Sequence, residues 1–316
     1  MCGTCGCSDP ANAVTLTDPD SGDKTLLRHG AIGGVAHSHD HTHDHHHHHD
    51  HGHDHDHHHH HDHDHSHSHD HDHSHDHDHD VPHVHGPNGE VISLEQAVLA
   101  KNDNIAARNR GWFEGRGVLA LNLVSSPGAG KTTLLERTIE QLAGRARIAV
   151  IEGDQMTAND AERIRAAGAR AVQINTGAGC HLEADMVAKA VERLDLVSGE
   201  ILMIENVGNL VCPAMFDLGE RMKVAVISTT EGEDKPVKYP HMFRAAEVVI
   251  INKIDLAPHV DFDEATCRAN INEVNPDARV LSLSAKTGQG MELWLAFLET
   301  EAGQGASGER PDAAPL

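Results

Sequence analysis

The 316-residue sequence predicts an α/β fold: a mainly parallel, doubly wound sheet of about seven strands, preceded by a disordered Cys/His-rich N-terminal segment. Two observations carry this. After Gly117, short β-branched apolar runs alternate with stretches of helical spacing, the pattern of strands buried on both faces. Between His37 and His85 the chain has almost no apolar residues, so that tract cannot offset the entropy of ordering by burial.

The divisions follow composition. Residues 1–10 hold three cysteines, 11–36 read as a flexible linker and 37–89 as a His/Asp tract. Residues 90–300 have globular composition, enough for one domain with a proper core, and 301–316 form a Gly/Ala/Pro-rich flexible tail. Of 32 histidines, 28 lie between His37 and His85. Neutral imidazole binds nickel, copper and zinc, so the tract predicts a metal-holding segment whose multiplicity raises capacity more than selectivity. The bland alternative is a tag or solvated linker, but tags are uniform and terminal. Twelve aspartates between Asp40 and Asp80 supply half of the formal charge of −24. Neither half of the chain carries a basic patch, which argues against nucleic acid and anionic membranes as partners. No apolar run reaches the roughly 18 residues of a membrane span, and no signal peptide opens the chain. With three of six cysteines crowded at the N-terminus, the expectation is a cytoplasmic, reduced protein whose thiols bind metal.

Ser93-Leu-Glu-Gln96 has the form of a capping box and predicts a helix to about Arg108. The expected strands are Val118–Val124, Arg147–Glu152, Ala171–Ile174, Ile201–Glu205, Lys223–Ser228, Val248–Asn252 and Arg279–Leu283. Helices fill the gaps at Thr132–Leu142, Ala158–Ala167, His181–Leu194, Phe262–Val274 and Met291–Thr300.

Ser125-Ser-Pro-Gly-Ala-Gly-Lys131-Thr132-Thr133 follows the first of these strands and opens the first of these helices. Such a loop, built on Ser126, Gly128 and Gly130, can wrap backbone N–H groups around phosphates at a helix N-terminus, as in P-loop NTPases. Lys131 would reach the β/γ-phosphates and Thr132, followed by Thr133, would place a hydroxyl on Mg²⁺. The strict pattern begins with Gly where this chain has Ser125. Asn252-Lys253-Ile-Asp255 ends a strand where GTPases recognise guanine. The Asp255 carboxylate can accept from the ring N–H and exocyclic amine, a donor pair that adenine lacks. Ser284-Ala285-Lys286 would close over the base, so the nucleotide is read as GTP.

Glu152-Gly-Asp154 ends the second strand, and its loop continues through Thr157 and Asp160; Asp154 is a candidate for positioning Mg²⁺ or the attacking water. Glu205-Asn-Val-Gly208 stands where GTPases carry Asp-x-x-Gly. Glu205 is a candidate outer-sphere Mg²⁺ residue and Gly208 a γ-phosphate contact, with a helix N-cap or plain loop residue as the alternative for each acid.

Cys2-Gly-Thr-Cys5-Gly-Cys7 gives three thiolates in six residues and leaves one coordination position for a terminal amine or a histidine. Zn²⁺ would take such a set tetrahedrally and Ni²⁺ in a square plane. Cys180-His181 and Cys212-Pro213 flank the expected nucleotide loops, so these three side chains form a second candidate metal site, completed by water or across a two-fold dimer. Cys267 reads as core.

Together these residues resemble the hydrogenase nickel-incorporation GTPases of the HypB family, across essentially the whole ordered chain. The resemblance rests on Cys2-Gly-Thr-Cys5-Gly-Cys7, the histidine tract, Ser125–Thr133, Glu152–Asp154, Cys180-His181, Glu205–Asn209 with Cys212-Pro213, and Asn252–Asp255. It implies a G domain of the SIMIBI class that forms a GTP-dependent homodimer and delivers nickel to the [NiFe]-hydrogenase large-subunit precursor. It also implies a high-affinity nickel site at Cys2, Cys5 and Cys7, and a weaker nickel or zinc site at Cys180, His181 and Cys212. A HypA-type nickel chaperone would be the direct partner. The sister GTPases that serve urease carry Cys-Pro-His, whereas Cys212-Pro213 is followed here by Ala214. A nickel store with regulatory nucleotide binding is the reading from a different class.

Overall fold

The computed structural model describes residues 14–18, 23–27, 83–85, 91–154 and 159–305. Contacts divide the chain into two units, 32–94 and the remainder. Cys2, Cys5, Cys7, the linker between residues 28 and 36, the histidine tract up to residue 82 and the tail from 306 lie outside the described residues.

In the smaller unit, β3 (His83–His85) pairs antiparallel with β4 (Val91–Ser93), with Val84 opposite Ile92. This departs from the expectation of disorder through Gly89. The β-branched Val84, Val91 and Ile92 flank Gly86-Pro-Asn-Gly89, a turn-forming sequence that favours a hairpin.

The larger unit holds a nine-stranded sheet. β1 (Thr15–Thr17) and β2 (Lys24–Leu26) precede α1 (Leu94–Gly115). Then follow β5 (Leu119–Ser125), α2 (Lys131–Leu142), β6 (Ile148–Asp154), α3 (Asn159–Ala166), β7 (Arg170–Asn175), α4 (Ala184–Leu194) and β8 (Ile201–Glu205). The chain continues through α5 (Cys212–Met215), β9 (Met222–Ser228), α6 (Lys235–Lys238), α7 (Pro240–Arg244), β10 (Val248–Asn252), α8 (Glu264–Val274), β11 (Arg279–Ser282) and α9 (Met291–Gly305). The order across the sheet is β11-β10-β9-β5-β8-β6-β7-β1-β2. β5 to β11 are the seven predicted strands, and every pairing among them is parallel.

The two additional strands lie in the segment read as linker. β1 pairs antiparallel with β7, Leu16 opposite Ile174, and Leu16 is buried in the core. One inward leucine between threonines is too short a signal to read from sequence, yet it closes an exposed parallel edge. Side chains alternate between faces along each strand. Leu121, Leu123, Val224 and Val226 pack with Leu134, Leu135 and Trp294 of α2 and α9. Ala120, Ile151 and Ile204 face α4, while Val124, Ala225 and Ile227 face α7 and α8. α1 runs seven residues past its predicted end, and α9 runs five past the expected domain limit at residue 300. In α1 the extension is held by tertiary bonds, chiefly from Asn109 and Arg110, and by burial of Phe113.

Candidate functional site

The carboxyl ends of β5, β6, β8 and β10 meet at one edge of the sheet, where ligands of parallel folds collect. From β5, the chain turns through residues 126–130 into α2. Gly128 and Gly130 have φ of +78° and +95°, and a Cβ at Gly130 would lie 2.7 Å from Asn252 Nδ2. Only glycine fits both the dihedral and the space. Lys131 Nζ donates to Ser125 Oγ at 2.7 Å. The serine that departs from the strict P-loop pattern therefore parks the lysine where phosphates would compete for it. Ser126 Oγ accepts from Lys235 Nζ at 3.0 Å, a contact between α6 and the P-loop that sequence reasoning missed. Thr133 sits half-buried in the first turn of α2.

Glu152 and Glu205 stand side by side in register on β6 and β8, both buried. Glu205 Oε1 accepts from Thr132 Oγ1 at 3.0 Å and lies 3.9 Å from Lys131 Nζ. Burial pushes the Glu152 carboxyl well above its ordinary range, and the neighbouring Glu205 pushes it further. Burial also raises Glu205, against the pull of Lys131. Among the described residues no donor reaches Glu152 Oε2 or Glu205 Oε2, which is costly for buried oxygens. A hard divalent cation beside Thr132 would satisfy them, so the donor set fits Mg²⁺. Asp154 ends β6, its carbonyl accepting from Thr176 N–H at 2.8 Å. The sequence reading placed the acid role on Asp154 and gave Glu152 none.

Asn252 ties three loops together. Its amide donates to Ala129 O at 3.0 Å, and its Oδ1 accepts from the N–H groups of Lys253 and Ala285 at 2.8 and 3.1 Å. Lys253, at φ +60°, donates from Nζ to Gly128 O at 2.6 Å. Thr287 N–H donates to Ser284 Oγ at 3.1 Å, while Arg137 donates to the carbonyls of Ala285 and Lys286 at 3.3 and 3.2 Å. Asp255 Oδ1 is buried with no partner among the described residues. That orphaned acceptor beside a braced loop fits a base carrying N–H donors. Gly208 presses on the P-loop: a Cβ there would lie 3.0 Å from Pro127 Cγ.

Cys180, His181 and Cys212 converge, with ligand atoms within 4.8 Å of one another. The two sulfurs are 3.0 Å apart, and Cys180 Sγ lies 3.6 Å from His181 Nδ1. The imidazole stacks on Phe216 at 3.8 Å, and its Nε2 lies 3.9 Å from Glu183 Oε1. Nδ1 is thus the nitrogen turned to the sulfurs, with a carboxylate on the far side as metal-binding histidines favour. Soft thiolates with imidazole suit nickel or zinc. Cys267 belongs to the core: burial pushes its thiol up to about 12, with Glu233 adding to the effect. A cavity of about 430 Å³ lined by Arg147, Arg170 and Glu200 opens at the amino ends of the strands, away from all these motifs. No helix among the described residues is long and apolar enough to cross a membrane.

A family profile described as "CobW/HypB/UreG, nucleotide-binding domain" matches residues 119–282. The hydrogenase maturation factor HypB of Rhizobium leguminosarum bv. viciae is 60% identical over 225 residues, covering 71% of this chain and 75% of that protein. The crystal structure of HypB from Helicobacter pylori in complex with nickel is 37% identical, with a TM-score of 0.62 over 68% of this chain and 99% of that one. HypB from Archaeoglobus fulgidus is 39% identical, with a TM-score of 0.61 over 64% and 99%. With the phosphate loop and the Cys/His cluster in one fold, the chain belongs to the HypB family of hydrogenase maturation factors, P-loop NTPases with a nucleotide-binding domain.

Proposed function

We propose that the chain is a Mg²⁺-dependent GTPase that couples GTP hydrolysis to insertion of nickel into the [NiFe]-hydrogenase large-subunit precursor. The observation that carries this reading is spatial: the Cys180/His181/Cys212 cluster hangs from the Glu205–Gly208 turn, and that turn lies against the P-loop. Nickel is cargo, and the nickel-bound H. pylori relative supports the assignment. The backbone N–H groups of residues 126–131 bind the phosphates, and Lys131 exchanges Ser125 for the β/γ-oxygens. Thr132 and Asp154 would hold Mg²⁺, with the Glu205 and Glu152 carboxylates behind them, and the ion would neutralise phosphate charge; Asp154 would also orient the water. Asp255 selects guanine. With no arginine finger evident in the sequence, intrinsic turnover falls far below about one per second.

Three ligands leave the metal set one short. A two-fold homodimer formed with GTP completes it, and the exposed Val211 and Met215 beside Cys212 give that contact an apolar rim. Zinc can occupy the same ligands. The N-terminal thiolates Cys2, Cys5 and Cys7 form the tighter nickel site. Thr15 lies opposite Asn175, at the β7 end that leads to Cys180. The eight residues from Cys7 to Thr15 span at most roughly 28 Å. A HypA-type nickel chaperone is the direct partner, and the histidine tract is the reservoir. The test compares hydrogenase and urease activity in cells with and without the protein, each with added nickel, alongside phosphate release by the purified chain. Loss of hydrogenase activity alone, together with GTP-specific release, supports the reading. Rescue by nickel would instead identify a store.

A further inference from the structure

The two segments that carry the metal ligands are held from two sides. On one side α1 grips both. Asn102 accepts from Ala184 N–H at 2.9 Å and donates to Asp217 O at 2.7 Å. Asn109 donates to Ala184 O at 2.8 Å and to Leu218 O at 3.0 Å. Arg110 Nη2 reaches both Asp217 oxygens at 2.7 Å. Burial opposes ionisation of Asp217, but Arg110 and the Gly219 N–H outweigh it, and the carboxyl stays below its ordinary range. One 22-residue rod therefore fixes the backs of both segments.

On the other side both segments are tied to the turn after β8. Asn206, nearly fully buried, accepts from Leu182 N–H at 3.2 Å and donates to Asn122 of the central strand at 3.2 Å. Asn209 accepts from Val211 N–H at 2.8 Å and donates to Cys180 O at 3.3 Å. A single side chain thus joins the backbone of one ligand to the residue preceding another. Gly208, its neighbour, is the residue packed on Pro127 of the P-loop.

We propose that Asn209, seconded by Asn206, is the positioning residue through which nucleotide state sets metal affinity at Cys180, His181 and Cys212. This rests on the GTPase reading above. A γ-phosphate contacting Gly208 displaces the turn, and Asn209 carries the displacement to both ligand segments. Because α1 holds their far sides, the motion is expressed as a change in sulfur spacing. Small changes suffice. Bonds of about 2.3 Å at a tetrahedral angle need sulfurs about 3.8 Å apart, and at a right angle about 3.3 Å. The observed 3.0 Å lies on the closed side of both.

The test uses the full chain carrying Cys2→Ser, Cys5→Ser and Cys7→Ser as the parent. Nickel alone is titrated and read by thiolate-to-metal charge-transfer absorbance, to which the histidines are silent. Titrations run with GDP and with a non-hydrolysable GTP analogue. The parent should show a nickel affinity ratio between the two nucleotide states within the range of about 5- to 150-fold. Asn209→Asp keeps the acceptor for Val211 N–H and removes the donor to Cys180 O. It should bring the ratio below about twofold, with nucleotide affinities in the absence of nickel within about threefold of the parent. By reciprocity, nickel should shift the GTP-analogue preference of the parent by the same factor, and not that of the variant. A merely structural role would weaken nickel binding in both states and leave the ratio intact. Retention of the ratio in both Asn209→Asp and Asn209→Ala would overturn the proposal. A ratio of one in the parent would refute coupling itself, and the proposal with it.

Discussion

Asp255→Ala separates recognition from folding. Among the described residues no group pairs with the buried Asp255 Oδ1, so its desolvation is paid for by the rest of the fold. Guanine returns two charge-assisted hydrogen bonds, each worth about 1.5–3 kcal/mol. Their loss should weaken GTP and GDP by about 3–6 kcal/mol, roughly 10²- to 10⁴-fold, at about 1.4 kcal/mol per decade. ATP and ADP, which make neither bond, should bind the variant no more weakly than the parent. The unfolding free energy of the nucleotide-free variant should stay within about 1 kcal/mol of the parent or rise, because an unsatisfied acceptor has gone. Nickel binding at Cys2, Cys5 and Cys7 should be untouched. Calorimetric titration with GDP and ADP, paired with chemical denaturation, checks each arm. A variant that still prefers GDP over ADP by more than tenfold would show that Asp255 does not read the base.

Other perturbations probe the remaining parts. Because burial and Glu205 raise the folded-state pKa of Glu152, its contribution to stability is complete below the ordinary carboxylate pKa and is lost as pH rises through the folded value. The Tm of the Mg²⁺-free, nucleotide-free protein should therefore fall between pH 5 and pH 8. Glu152→Gln should flatten that slope, stabilising the protein at pH 8 and not near pH 4; an unchanged slope in scanning calorimetry would count against it. Asn109→Ala removes two buried bonds from α1 to the metal-bearing segments and should cost about 2–3 kcal/mol in a denaturant titration. Deleting residues 37–85 should lower nickel held per chain, measured by equilibrium dialysis, while GTP hydrolysis and delivery under ample nickel persist.

The seven parallel strands were legible because each is a continuous β-branched or apolar run, a pattern set by burial on both faces. β1 and β2 were not, since three residues with one buried leucine leave no period to detect. The end of α1 was misplaced for the opposite reason: its last two turns are stabilised by distant carbonyls that no local pattern encodes. At the site, the phosphate loop stands out in sequence because backbone-wrapping demands particular residues at fixed spacing, and Asn252–Asp255 stands out by its place at the end of a strand. The convergence of Cys180, His181 and Cys212 was legible only as an expectation, raised by their places after strands. Lys235 and Arg137 carry no sequence signal, and Glu152 and Asn209 stand inside motifs that give them no individual role. Their roles arise from adjacency across the sheet, to Glu205, Ser126, Ala285 and Cys180, and such adjacency exists only once the strands are ordered.

The central claim is that nucleotide chemistry drives nickel delivery. The most direct measurement is hydrogenase activity in cells whose only copy carries Lys131→Ala, titrated with nickel after the variant is confirmed folded by circular dichroism. Lys131 is buried against Ser125 and Glu205, and its loss removes the ammonium proposed to bind phosphate without touching Cys180, His181 or Cys212. If nucleotide chemistry drives delivery, no hydrogenase activity appears at any nickel concentration. Activity restored by added nickel would contradict it and leave the protein a metal store.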